Sequence, residues 1–367
     1  MKKILFYIPS FANGGAERVA SVLLNYWSAL DKYEITVINT LPKENDFFKV
    51  NSAIPRSFLK FNYNLTGVKF FLEKFYRIYL LRSFLKSRSE VIIVSFMSSP
   101  SILLLISSIG LNKKIVCCEH TNYFLYGNKL TRLIRNILYY FFAKKITLLT
   151  DRDIKSYPRF LHSKITVLPN PLGVDGSKYN FRHGKIKNNN MINLLFVGRL
   201  VAVKGIDRLC SILNELKDIH NWKLTICGDG VLRSDLEEFV KINKLSNRVF
   251  LKGSVKDIED YYLNADLLVM TSISEGLPMV IAEAMSFGVP VIAFDCPTGP
   301  REFISHNING LLVKDGDINE YIKELKFVIN NPEKLAILSE RASSSVDSYS
   351  LSNIDKIWDC IFVGLNN

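Results

Sequence analysis

The chain has 367 residues, more than one typical domain holds and a usual length for two. Its globular composition excludes a disordered or fibrous chain, and its 6 cysteines, which show no paired CxxC spacing, argue against a disulfide framework or a zinc site. The net charge of +12 is uneven: residues 1–170 carry 25 Lys and Arg against 10 Asp and Glu, the remainder 22 against 25, so an anionic partner such as nucleic acid, a membrane surface or a phosphorylated acceptor would meet the first half.

In chain order, MKKILFYIPSF imitates a signal peptide, but Pro9 cuts its apolar run and no small-residue cleavage site follows. It predicts a first strand, Ile4 to Ile8. Ser10 to Gly15 and a helical run from Ala16 to Leu30 then complete a strand, a Gly-Gly turn and a helix, which is how a Rossmann-like unit opens, although the full GxGxxG is lacking. Gly14 and Gly15 either permit a tight turn or let the backbone approach a ligand closely. After a strand at Ile35 to Asn39, the segment Phe58 to Arg88 sets Lys60, Lys69, Lys74, Arg77, Arg82, Lys86 and Arg88 against the single acid Glu73, among aromatics that include Phe61, Tyr63, Phe70, Phe71, Phe75, Tyr76 and Tyr79. That mixture suits the interface of an anionic bilayer, or else a helix with core aromatics and solvated charges.

Val91 to Leu111 holds no charged residue over 21 positions, long enough for a membrane span, but its 6 serines, Pro100 and Gly110 predict a buried strand through Phe96, a turn and an apolar helix instead. The strand Ile115 to Cys118 delivers Glu119-His120-Thr121-Asn122 at its C-terminal end, where open α/β sheets bind ligands. His120 is therefore a candidate, its alternative a structural histidine. Lys129 to Lys145 repeats the basic and aromatic mixture, and strands at Ile146 to Leu149 and Ile165 to Leu168 end the half. Asp151-Arg152-Asp153 spells a metal-type DxD but reads as a helix N-cap.

Pro169 to Gly173 reads as a linker, with a polar tract from Lys178 to Asn190 beyond it. A second strand-and-helix series follows. Strand Ile192 to Val197 ends in Gly198-Arg199 with Lys204-Gly205 beyond, strand Leu224 to Cys227 in Gly228-Asp229-Gly230, and strand Val289 to Phe294 in Asp295 to Glu302; Asp315-Gly316-Asp317 reads as a turn. Between them, strand Leu267 to Met270 leads into TSISEGLPMVIAEAM, where Glu275 and Glu283 are separated by seven residues. A helix beginning near Pro278 would carry Glu283 inside it and leave Glu275 in the loop before it. The backbone N–H groups of Gly276 and Leu277 would then face outward at a positive helix end, a ready phosphate site. With two acids to accept hydroxyls, this suits a polyol bearing a phosphate, such as a nucleotide sugar. The alternative is a surface helix with two solvated glutamates.

With Gly198-Arg199, Lys204-Gly205, Gly228-Asp229-Gly230 and the spaced pair Glu275 and Glu283 in order, the chain resembles the retaining glycosyltransferases of family 4, and its DCPTGPRE run looks like the subset that builds bacterial surface polysaccharides. The resemblance implies an α/β fold of the GT-B type: two facing, doubly wound Rossmann-like domains, an acceptor and membrane-facing domain over 1–170 and a nucleotide-sugar domain over 171–348, with a C-terminal helix, 349–367, crossing back to the first. It implies a hexose or N-acetylhexosamine moved from a UDP-sugar co-substrate to a lipid-linked or oligosaccharide acceptor, without cofactor or metal. Arg199 and Lys204 would grip the diphosphate, Glu283 the ribose and Glu275 the transferred sugar. Gly14, Gly15, Gly276 and Leu277 would approach the phosphates, and His120 would face the sugar from the other domain. The expected setting is cytoplasmic, peripheral on an anionic membrane that displays a polyprenyl-diphosphate acceptor. Rivals are a UDP-sugar epimerase or a phosphorylase on the same fold, and a non-enzymatic nucleic-acid binder, for which no motif is visible.

Overall fold

The computed structural model describes residues 1–59, 61, 66–88, 91–176, 191–297 and 299–365; Lys60, Tyr63, the tract 178–190 and Thr298 lie outside the described residues, as do the side chains of Phe70 and Phe71. The chain divides into two compact units, Met1–Gly173 with Leu351–Asn367, and Val174–Ser350.

The first unit alternates strands and helices: β1 (Lys2–Tyr7), α1 (Gly15–Ala29), β2 (Tyr33–Asn39), β3 (Arg56–Phe58), α2 (Gly67–Lys86), β4 (Ile92–Phe96), α3 (Ser98–Ser108), β5 (Lys114–Cys118), α4 (Lys129–Phe142), β6 (Lys145–Leu148), α5 (Asp151–Ile154) and β7 (Ile165–Val167). The strands pair in parallel in the order β3-β2-β1-β4-β5-β6-β7. A parallel sheet is covered on both faces, which is why β1 from Ile4 onward and β4 apart from Ser95 are apolar rather than alternating. Ile4, Phe6 and Phe96 point to one side, where Leu23, Leu24 and Trp27 of α1 pack. Leu5, Tyr7 and Ile93 point to the other, against Leu81 and Leu85 of α2, Leu104 and Leu105 of α3, and Tyr139 of α4. The uncharged run expected as strand, turn and helix is β4 and α3, and no helix among the described residues is long and apolar enough to cross a membrane.

Two sequence expectations need correction. Asp151 does not cap α5; Thr150 does, its hydroxyl accepting from Asp153 N–H at 3.3 Å while the Asp153 carboxylate accepts from Thr150 N–H at 3.2 Å. The reciprocal pair satisfies two end groups at once, which a lone Asp could not do. Nor are all the arginines of α2 spread over its surface. Arg82 Nη1 donates to the carbonyls of Ser107 (3.1 Å) and Ile109 (2.6 Å), closing the C-terminus of α3, and Arg77 pairs with Glu73 at 3.5 Å.

The second unit repeats the plan with β8 (Ile192–Val197), α6 (Ile206–Glu215), β9 (Trp222–Cys227), α7 (Arg233–Ile242), β10 (Val249–Gly253), α8 (Glu259–Asn264), β11 (Leu267–Met270), α9 (Met279–Ser286), β12 (Val291–Asp295), α10 (Pro300–Phe303), β13 (Leu311–Lys314), α11 (Ile318–Asn330) and α12 (Pro332–Ala342). Its parallel order is β10-β9-β8-β11-β12-β13. In both sheets the winding direction reverses once, between β1 and β4 and between β8 and β11, and it is outside the carboxyl ends of such a pair that doubly wound sheets bind ligands.

The last helix, α13 (Leu351–Gly364), belongs to the first unit. Ile354, Trp358, Ile361 and Phe362 fill the layer beside Trp27, whose indole meets Trp358 edge-on at 5.4 Å. Polar contacts fix the register: Trp27 Nε1 donates to Asp355 (2.8 Å), Lys32 Nζ to Asp355 (2.7 Å) and Asp359 (2.6 Å), and the Tyr33 hydroxyl to Asp359 (2.6 Å).

Candidate active site

In the second unit the strand-end loops at the switch point lock together. Beyond β8, Gly198 N–H donates to Cys227 O (3.0 Å) and Leu200 N–H to Asp229 O (2.9 Å), tying the Gly198-Arg199 loop to Gly228-Asp229-Gly230. The glycines are needed because the backbones touch: a Cβ on Gly228, whose φ is +156°, would stand 1.8 Å from Gly198 O. On the other flank Ile273 N–H donates to Val203 O (2.9 Å) and the Thr271 hydroxyl to Lys204 O (3.0 Å), so the turn that ends in Gly205 rests on the start of the loop after β11.

That packing brings Lys204 to Glu275. Lys204 Nζ donates to Glu275 Oε1 at 2.6 Å, and the Ser272 hydroxyl donates to the same oxygen at 2.6 Å. Both side chains are largely but not fully enclosed, at 20% and 12% exposure. The loop after β12 forms a further wall: Glu275 N–H donates to Pro297 O (3.0 Å), and Gly299, at φ +108°, packs so closely on Gly276 O and Pro278 that a side chain there would clash. Asp295 and Arg301 flank that loop as an ion pair, with Arg301 Nε 2.6 Å from Asp295 Oδ1. Arg208, in the first turn of α6 four residues after Lys204, donates to Ser272 O (3.3 Å) and to Asp315 (2.7 Å) and so holds the Glu275 loop from behind.

The sequence-derived candidates thus sort by place. Lys204, Glu275, Gly276 and Leu277 are assembled at the switch point. Arg199 lies on the same loop as Gly198 with an exposed side chain. Glu283 is inside α9, 1% exposed, and accepts from the buried Tyr262 hydroxyl at 3.1 Å, so the pair of solvated glutamates is excluded for it. Gly14, Gly15 and His120 belong to the first unit. A Cβ at Gly15 would meet nothing within 4 Å, leaving open space over the first turn of α1. His120 stacks on Phe96 at 4.4 Å, and both ring nitrogens are buried with no hydrogen bond of ordinary geometry among the described residues. Burial pushes its imidazole down to about 4, with Asn170 pulling weakly the other way. Ser272, Arg208 and Tyr262 were not singled out from sequence, and Asp315 reads there only as part of a turn. Ser272 stands three residues before Glu275 and Arg208 four after Lys204, but such spacing is common, and only the packed loops give it meaning.

The family model for glycosyl transferases, group 1, matches residues 178–345. Along its whole length the chain is 28% identical over 364 residues to an uncharacterised glycosyltransferase of Haemophilus influenzae, covering 98% of this chain and 99% of that one. Residues 178–345 thus match the group 1 glycosyl transferases, and a full-length relative is named a glycosyltransferase. A second relative of this transferase, 28% identical over 365 residues (98% of this chain, 97% of the other), is a Campylobacter jejuni alpha-1,4-N-acetyl-D-galactosaminyltransferase whose name specifies an undecaprenol-diphosphate-linked acceptor. Among solved structures, Anabaena HepE in complex with UDP and glucose superposes with a TM-score of 0.79 at 18% identity, covering 99% of this chain and 100% of that one. The transferase thus has the GT-B fold, two parallel-sheet Rossmann-like domains.

Proposed function

We propose that this glycosyl transferase is a retaining, metal-independent enzyme of family 4. It moves a hexose or N-acetylhexosamine from a UDP-sugar to a lipid-linked or oligosaccharide acceptor during assembly of a surface polysaccharide. The single observation that carries the reading is the Lys204–Glu275 contact across the β8/β11 switch point, with Ser272 on the same oxygen. It sets a cation suited to a diphosphate beside a carboxylate suited to sugar hydroxyls.

In transfer, the bond from the anomeric carbon to the UDP oxygen breaks, the acceptor oxygen bonds to that carbon, and the departing phosphate takes the acceptor's proton. Negative charge grows on the phosphate as this happens, and fixed cations there stabilise the transition state, each donor by roughly 3 kcal/mol. Lys204 and Arg199 are assigned that task. Lys204 would exchange Glu275 for phosphate on donor binding, which frees Oε1 for a sugar hydroxyl. Glu283, held by Tyr262, is assigned to the ribose, and His120 is the first unit's contribution. The undecaprenol-linked acceptor named for the Campylobacter relative supports a lipid-linked one here. A cytoplasmic protein held peripherally on an anionic membrane would meet such an acceptor.

The test is incubation with a panel of UDP- and GDP-sugars, alone and with a polyprenyl-diphosphate-linked saccharide acceptor, with and without EDTA, followed by NMR of the anomeric centre of the transfer product. Slow hydrolysis confined to UDP-sugars, untouched by chelation, and an α-linked product from an α-linked donor are expected. Loss of activity with EDTA would overturn the metal-free mechanism, and a β-linked product would overturn retention.

A further inference from the structure

Glu119 and His120 are successive residues at the end of β5, and they point to opposite layers of the first unit's sheet. His120 lies on Phe96, among the residues on the α1 and α13 side. Glu119 is buried at 3% exposure on the α3 and α4 side, where it accepts from the hydroxyls of Ser98 and Tyr139, and Arg135 Nη1 stands 3.6 Å from its Oε2. Arg135 is itself fully buried, and none of its guanidinium nitrogens has a hydrogen-bond partner among the described residues. It is ringed instead by Tyr123 (4.8 Å), Tyr157 (5.0 Å), Tyr126 (5.2 Å) and Tyr139 (5.8 Å). A cation among four ring faces is held as a charge rather than as a donor fork, and Glu119 is the acid that balances it.

The two contacts are joined through Met97. This residue separates Phe96, under His120, from Ser98, on Glu119, and its φ of +73° is a conformation that a non-glycine residue keeps only when its surroundings enforce it. Met97 N–H donates to Cys118 O at 2.9 Å, and Glu119 N–H to Thr147 O at 3.0 Å. The end of β5 is thus fixed from β4, β6, α3 and α4 together. Because side chains alternate along extended backbone, whatever sets the direction of Glu119 also sets that of His120.

We propose that Glu119, locked by Ser98, Tyr139 and Arg135, is a positioning residue for the transfer reaction, which fixes the His120 imidazole against Phe96. This rests on the reading of His120 as the first unit's contribution to transfer. Glu119 does not touch substrate. Its part is to deny the imidazole other orientations, and misplacement of a reacting group by an ångström can cost a hundredfold in rate.

Glu119→Ala would strand the Arg135 charge in the interior and fail to fold. The informative variant is therefore the double substitution Ser98→Ala, Tyr139→Phe, which removes two donors and keeps the ion pair and the ring packing. Two measurements are made on the full-length protein. One is the titration of the His120 ring by nitrogen-15 NMR, its signal identified among those of the 5 histidines by its loss in His120→Asn. The other is kcat and donor KM. In the double variant the His120 midpoint should rise from about 4 toward the ordinary 6.5 as water reaches the ring, and kcat should fall about 10- to 100-fold at unchanged donor KM. An unmoved His120 titration overturns the proposal, as does a moved titration with unchanged kcat in a protein whose His120→Ala variant is inactive. Full activity of His120→Ala would instead remove His120 from the reaction, and that failure of the underlying reading is told apart because the NMR titration still reports whether Glu119 orients the ring.

Discussion

At the level of single residues, the tasks proposed for Lys204 and Glu275 are opposite, so their variants should fail in opposite ways. Glu275→Ala removes the sugar's acceptor and leaves Lys204 without its 2.6 Å partner, so transfer should be lost while UDP binds as well as before or more tightly. Lys204→Ala should weaken UDP by about 10- to 100-fold, the range for one hydrogen bond to a charged group. Calorimetric titration with UDP separates the two, and equal UDP affinity in Lys204→Ala and wild type would remove Lys204 from the phosphate site. His120 carries a pH signature. Its folded value, about 4, lies below the ordinary 6.5, so between those values the unfolded chain binds a proton that the folded chain refuses. Stability from this residue is therefore present above about 6.5 and lost as pH falls toward 4, by at most about 1.4 kcal/mol per unit. Urea midpoints of wild type should fall more steeply over that window than those of His120→Asn; parallel slopes would mean that the ring is open to water. Lys204, Glu275, Glu283 and His120 could be named from sequence because each follows a recognisable strand at a strand end or on the next helix. Ser272, Arg208, Tyr262 and Glu119 could not, because a Ser, an Arg, a Tyr or a second acid gains its role from a partner 3 to 107 positions away.

Among the elements, the C-terminal helix is the one whose place matters most for stability. Its own residues are a short amphipathic run, and the sequence assigned it to the first domain through resemblance only. What seats α13 is a layer of aromatic edges around Trp27 together with Asp355 and Asp359, which accept from Trp27, Lys32 and Tyr33. Trp358→Ala should cost about 3–5 kcal/mol through the cavity it leaves, read as a lowered denaturant midpoint in the first unit with the second unit's transition unchanged. The cavity term is large here because Trp358 is 1% exposed and packed on rings that cannot collapse into its space. An unshifted midpoint would mean that the helix is not docked in solution. The central strands, by contrast, were legible individually, since a buried parallel strand is a continuous apolar run and few other segments of four to six residues look like one; the edge strands β3, β10 and β13, short and each bearing a charged residue, were not.

For the whole molecule, the uneven charge gains a surface. Leu72, Phe75, Tyr76 and Tyr79 of α2 are exposed, as are Leu130, Leu133, Ile137 and Phe141 of α4. Apolar side chains beside lysines are what a membrane interface accepts, with each cation contributing roughly 1 kcal/mol and less as salt rises. Arg77 and Arg82 hold Glu73 and the end of α3 and are left in place; the cations to change are Lys69, Lys74 and Lys86, chosen because they are exposed. Their replacement by Glu should abolish sedimentation with anionic vesicles in low salt and slow transfer to a lipid-linked acceptor, with donor hydrolysis preserved. If the triple variant still sediments with those vesicles, the proposed surface is wrong and the basic first half is a solvated face.

The sequence by itself determined two series in which apolar runs of strand length alternate with helical runs, and a site in the second, because glycines, cations and acids recur where those strands end; that each series is a doubly wound sheet came from the resemblance. These are local facts, set by periodicity and by what a residue type can do in a turn. Only the tertiary structure decided which side chains meet. The Lys204–Glu275 contact depends on two loops 71 positions apart in sequence being pressed together by glycines that leave no room for a Cβ. The orientation of His120 depends on a neighbour buried in the opposite layer. Such pairings are selected by packing across the sheet, where distance along the chain carries no information.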